Sequence, residues 1–91
     1  MSQQELLKME ISRHARNNMR LYKISEKDIL NAIESTEVSS REGDKMVALK
    51  KFRDRFSGYP LKVVYEKPGN ELIIITVYPL KKKMWRGNHE S

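Results

Sequence analysis

The apolar residues of this chain change their period about a third of the way along it. Up to Ile33 they recur at three and four residues, and between Leu61 and Tyr78 they alternate at two. A period near 3.6 buries one stripe of a helix, whereas a period of two buries one face of a strand. One segment cannot satisfy both. The chain therefore reads as α+β, with two N-terminal helices packed on one face of an antiparallel sheet of three to four strands.

Ile11, Ala15, Asn18, Met19 and Tyr22 share one helical face, which predicts a helix over residues 12–22. At ~100° per residue, Arg13, Arg16, Arg20 and Lys23 gather on the opposite face as a basic stripe. His14 and Leu21 fall on the border. The second helix has the clearest start. Ser25 suits an N-cap, and Asp28 three residues on completes a capping box. Ile24 before the cap and Ile29 after it form a hydrophobic staple. Ile29, Leu30 and Ile33 supply the buried stripe. The helix should fade over residues 34–36, where short and β-branched polar residues replace good helix formers.

Residues 61–67 and 71–78 are rich in Val, Ile, Thr and Tyr and read as strands. Lys67-Pro68-Gly69-Asn70 between them suits a type II turn, so they form a hairpin. Glu42-Gly43-Asp44 marks a second turn, flanked by strands over residues 38–41 and 46–52. Val47, Leu49 and Phe52 would also suit a helix. On the hairpin, Leu61, Val63, Tyr65, Ile73, Ile75 and Val77 make the more apolar face and should carry the helices. Lys62, Val64, Glu66, Leu72, Ile74, Thr76 and Tyr78 make a mixed, partly open face. The domain is expected over residues 1–80, with a basic tail over residues 81–91.

Ninety-one residues suit one domain with a small core. A surface groove is thus a better working site than a buried cofactor pocket. Cysteine is absent, which excludes disulfides and thiolate metal sites. His14 and His89 have no metal-ligand spacing, and the glycines make no phosphate loop. No metal and no cofactor is expected. The longest apolar stretch, residues 72–78, is far short of the ~20 residues a membrane helix needs. The expected location is cytoplasmic, without a membrane partner. Eighteen Lys and Arg against twelve Asp and Glu leave a formal charge of +6. That excess favours a polyanionic partner, a nucleic acid such as RNA or an acidic protein, over a basic surface that merely keeps the chain in solution.

Ser12-Arg13-His14-Ala15, then Met19, then the Ile24-Ser25 step and a closing Ile74-Ile75-Thr76-Val77-Tyr78 strand form a signature. It resembles a family of small bacterial and archaeal proteins known only as a domain of unknown function. That family is similar to the RelE/ParE toxin superfamily, which includes the BrnT-type toxins. The resemblance implies two helices on a curved antiparallel sheet, a metal-independent ribonuclease activity and an acidic antitoxin-like partner. The family pattern often has Arg where this chain has Asn18, which implies one phosphate contact fewer.

Cleavage of RNA by its own 2′-hydroxyl needs a base, an acid and positive charge around the phosphorus. His14 is the one histidine in the body of the domain and its type suits proton transfer. It could equally orient a backbone group at the helix start. Thr76 and Tyr78 could bind a phosphate oxygen or stack on a base beside Lys62, or serve simply as strand residues. Arg13, Arg16 and Arg20 could neutralise phosphate or remain a solvated helix face. Three functions follow: a toxin-type endoribonuclease, a non-catalytic nucleic-acid- or protein-binding module, and an inhibitor of an acidic protein target.

Overall fold

The computed structural model describes residues 8–81. Its elements are β1 (Lys8–Ile11), α1 (Arg13–Tyr22), α2 (Glu26–Glu34), β2 (Val38–Glu42), β3 (Lys45–Lys50), a 3-10 turn (Phe56–Gly58), β4 (Leu61–Glu66) and β5 (Glu71–Pro79). The expected basic tail beyond Lys81, with His89, lies outside the described residues. No helix among those described is long and apolar enough to cross a membrane.

Both helices begin on serine. The Ser12 hydroxyl accepts from the Ala15 amide at 3.0 Å. In α2 the capping box is complete: Ser25 Oγ accepts from the Asp28 amide at 3.1 Å, and Asp28 Oδ2 from the Ser25 amide at 2.9 Å. Ile24 and Ile29, either side of that cap, are both buried. Between the helices the chain reverses through Lys23 in the left-handed region at φ 57°. Its amide and that of Ile24 both donate to the Met19 carbonyl, which closes α1.

The strands lie in the order β1-β5-β4-β3-β2. β2 to β5 form an antiparallel meander. The Pro68-Gly69 turn joins the last pair, with Gly69 at φ 64° as its geometry requires. The sheet is nevertheless mixed and five-stranded, which corrects the expectation of three to four antiparallel strands. The fifth strand is β1, which pairs parallel to β5, Lys8 against Glu71 and Ile11 against Ile74. Ile11 therefore ends a strand and does not belong to α1. A four-residue strand whose hydrogen bonds come from the far end of the chain leaves no local pattern to read.

The core is formed by Ala15, Ile24, Ile29 and Ala32 from the helical half and by Ala48, Leu61, Val63, Tyr65, Leu72, Ile74 and Val77 from the sheet. Ile11, Met19 and Ile33 pack against it, partly buried. Leu72 and Ile74 stand where Ile73 and Ile75 were expected. A β-bulge causes the exchange. Val64 faces Thr76 but Tyr65 faces Ile74, so Ile75 has no partner across the ladder. One inserted residue flips every side chain beyond it to the other face. Val77 keeps its expected side, while the strand before the bulge is reversed.

Candidate nucleic-acid interface

α1 is fastened at that bulge. The Ser12 amide donates to the Ile74 carbonyl at 3.0 Å and the Ser12 hydroxyl to the Ile75 carbonyl at 2.8 Å. One side chain thus caps the helix and occupies a carbonyl at the ladder's irregularity. Ser12→Ala should cost about 1–2 kcal/mol in urea denaturation, more than a cap alone commonly gives, because two hydrogen bonds are lost. A loss of a few tenths would mean that water replaces both.

With Ala15 turned inward, Arg13, Arg16, Arg20 and Lys23 are all exposed, as is His14 in the first turn. No acidic residue occupies that turn. Among the described residues none of these four cations takes part in an ion pair. The predicted basic stripe is therefore an accessible row of charge on a fixed helix.

Lys62, Thr76 and Tyr78 occupy the face of the sheet opposite the helices. Lys62 and Tyr78 are cross-strand neighbours, and the Lys62 ammonium lies 5.8 Å from the centre of the Tyr78 ring. Thr76 pairs with Val64, and Val64 with Val47, both buried. Its hydroxyl is buried and makes no hydrogen bond among the described residues. A buried polar atom left without a partner is uncommon in a native fold. His14 stands apart, on a helix that packs on the other face. No hydrogen bond joins it to Thr76 or Tyr78 among the described residues.

The strand expected over residues 46–52, with a helix as its alternative, ends at Lys50, and the segment that follows it carries contacts with no expected counterpart. Arg55 there grips Asp28 with both terminal nitrogens, at 2.8 Å each, and reaches the Lys23 carbonyl at 3.3 Å. Its guanidinium lies 4.7 Å from the Phe56 ring centre and 5.6 Å from that of Phe52. Hydrogen bonding to Arg55 is the main cause that holds the Asp28 carboxyl below the usual carboxylate range. Asp28 thus completes the cap of α2 and anchors a loop 27 residues away. The signal in the sequence was basic and aromatic residues interleaved, Lys50-Lys51-Phe52-Arg53 and then Arg55-Phe56, a composition suited to nucleic acid.

The fold and site together define a small α+β domain with an exposed cationic helix and a basic, aromatic loop. Residues 11–79 match the model of the family described as a domain of unknown function, DUF4258. The chain belongs to that family. No curated protein and no solved structure matches the chain.

Proposed function

We propose that this protein binds RNA through the exposed face of α1 and is a RelE/ParE-like protein of toxin–antitoxin type. The row Arg13, Arg16, Arg20 and Lys23 carries the reading: four exposed cations on one helix, unpaired among the described residues, in a chain of net charge +6. Lysine and arginine in such a row neutralise consecutive phosphates and release their counterions. An acidic antitoxin-like protein would meet the same face and compete with RNA for it.

The test is binding of a single-stranded oligoribonucleotide, followed by fluorescence anisotropy at several salt concentrations. Affinity should fall steeply with salt. Arg16→Glu with Arg20→Glu should weaken it at least tenfold, far more than deletion of residues 83–91. Equal binding by the double variant would remove α1 as the contact.

A second reading, metal-independent endoribonuclease, is favoured by His14. It is exposed in the first turn of α1, in sequence between Arg13 and Arg16, on the side of the sheet away from Thr76 and Tyr78. In that reading His14 takes the proton of the 2′-hydroxyl as its oxygen bonds to phosphorus, the P–O5′ bond breaks and the departing 5′-oxygen is protonated by water, while Arg13 or Arg16 offsets the charge on the non-bridging phosphate oxygens. Cleavage of total RNA in the presence of a chelator should vanish in His14→Ala while the circular dichroism spectrum is unchanged. Cleavage that survives the substitution would leave only the binding reading.

A further inference from the structure

The segment between β3 and β4 is under backbone strain. Asp54, Phe56 and Ser57 lie in the left-handed region, at φ 57°, 54° and 52°, and Gly58 follows at 81°. Three non-glycine residues in that region within four positions are costly for L-amino acids, and such strain persists only where surrounding contacts impose it. The contacts here are those of Arg55 with Asp28, Lys23 and the rings of Phe52 and Phe56. Those two rings meet edge to face at 5.6 Å. The loop is thus held in one unfavourable shape by an ion pair and an aromatic cluster.

That shape brings Phe56, Ser57 and Tyr59 beside Tyr22 at the end of α1 and beside Pro79 and Lys81 at the end of β5. Together they line a hollow of about 270 Å³. Its wall combines three aromatic rings, three hydroxyl groups and one ammonium, with no carboxylate among the described residues. Flat rings suit the face of a base, hydroxyls suit its polar edge, and an ammonium suits the phosphate attached to it. The hollow meets α1 at its last turn through Tyr22, which stands on the helix face opposite Arg13, Arg16 and Arg20 and packs against the core.

We infer that this hollow is a nucleotide subsite, in which a base lies against the rings of Tyr22 and Tyr59 and its phosphate meets Lys81. The inference rests on the RNA-binding reading and adds to it a place that takes a base, where α1 takes only backbone phosphate.

Two measurements on the full chain test it. In the first, ¹⁵N-labelled protein is titrated with adenosine 5′-monophosphate and, separately, with inorganic phosphate. The nucleotide should move the amide signals of Tyr22, Ser57, Tyr59 and Lys81, and phosphate should leave those of Tyr22 and Tyr59 in place. In the second, oligoribonucleotide binding is compared for wild type, Tyr59→Ala and Tyr59→Phe. Loss of one stacked base should weaken binding about tenfold in the alanine variant, while the phenylalanine variant, which keeps the ring, should stay within about twofold. If the oligonucleotide binds, the nucleotide moves none of these signals and Tyr59→Ala binds like wild type, the subsite is overturned and the α1 reading stands. If the oligonucleotide does not bind, the RNA reading falls. The mononucleotide titration then decides the hollow alone: movement of the ring-bearing residues supports it, and silence removes it. Because that titration uses wild type, it decides even if Tyr59→Ala fails to fold.

Discussion

Ile74→Ala is expected to destabilise the fold by about 2–5 kcal/mol in urea denaturation, and Ile75→Ala by under about 1.5 kcal/mol. Ile74 is fully enclosed, between Tyr65 across the ladder and the helices above. Truncation there removes buried methyl groups and leaves a cavity that a closely packed core fills poorly. Ile75 is partly exposed and stands out of register at the bulge. Its truncation loses contact area but opens no sealed void. In a regular strand two adjacent residues would occupy the two faces regardless, so the order of the two costs reports which face the bulge assigned to the core. The reverse order would turn the strand over and place Leu72 and Ile74 outside.

Asp28→Ala should cost roughly 2–3 kcal/mol near neutral pH. The substitution removes the acceptor of the Ser25 amide in the capping box and both hydrogen bonds from Arg55. The Arg55 side chain is 39% exposed, so solvent screens part of the charge interaction and the cost stays below that of a fully buried pair. The effect should also depend on pH. The Asp28 carboxyl is held below the usual carboxylate range, chiefly by its hydrogen bonds with Arg55. A carboxylate whose folded pKa is depressed contributes its full stability above about pH 4, where the unfolded chain has released that proton. The contribution disappears as pH falls through the lower folded value. The gap between wild type and Asp28→Ala should accordingly be widest near neutrality and narrow under acid. A gap that grows below pH 4 would contradict this account of the pair.

How far each feature was legible depended on how local its cause is. Both helix starts rest on residues three apart, Ser12 with Ala15 and Ser25 with Asp28; the second was legible as a capping box, whereas Ser12 read only as the first residue of its helix. The basic stripe was legible because one helix carries all of it. So was the company of Lys62, Thr76 and Tyr78, which follows from register within a hairpin that lies on one side of the bulge. The facing of residues 72–75 was not. Leu72, Ile73, Ile74 and Ile75 are all large and apolar, so neither alternation stands out and hydrophobicity alone cannot locate an inserted residue. The grip of Arg55 on Asp28 spans 27 positions and depends on a loop whose residues adopt conformations their types disfavour. Composition could mark that loop as basic and aromatic but could not supply its shape. The hollow beside it draws on three separate parts of the chain and had no sequence signal of its own.

The parallel pairing of β1 with β5 has a consequence for the order of folding. The meander from β2 to β5 is made of neighbours in sequence, and each hairpin closes a short loop. Among the described residues β1 pairs with β5 alone, and the Ser12 hydroxyl bond that fastens α1 closes across 63 residues. Closing so long a loop costs chain entropy before any contact repays it, and such distant contacts slow folding. β1 and α1 are therefore expected to dock after the meander has formed. Until Ile74 and Ile75 present their carbonyls, α1 is only a ten-residue helix, too short to be stable by itself. Its row of cations is then expected to become rigid at the final step, so that the cationic face matures with the complete fold and not before it.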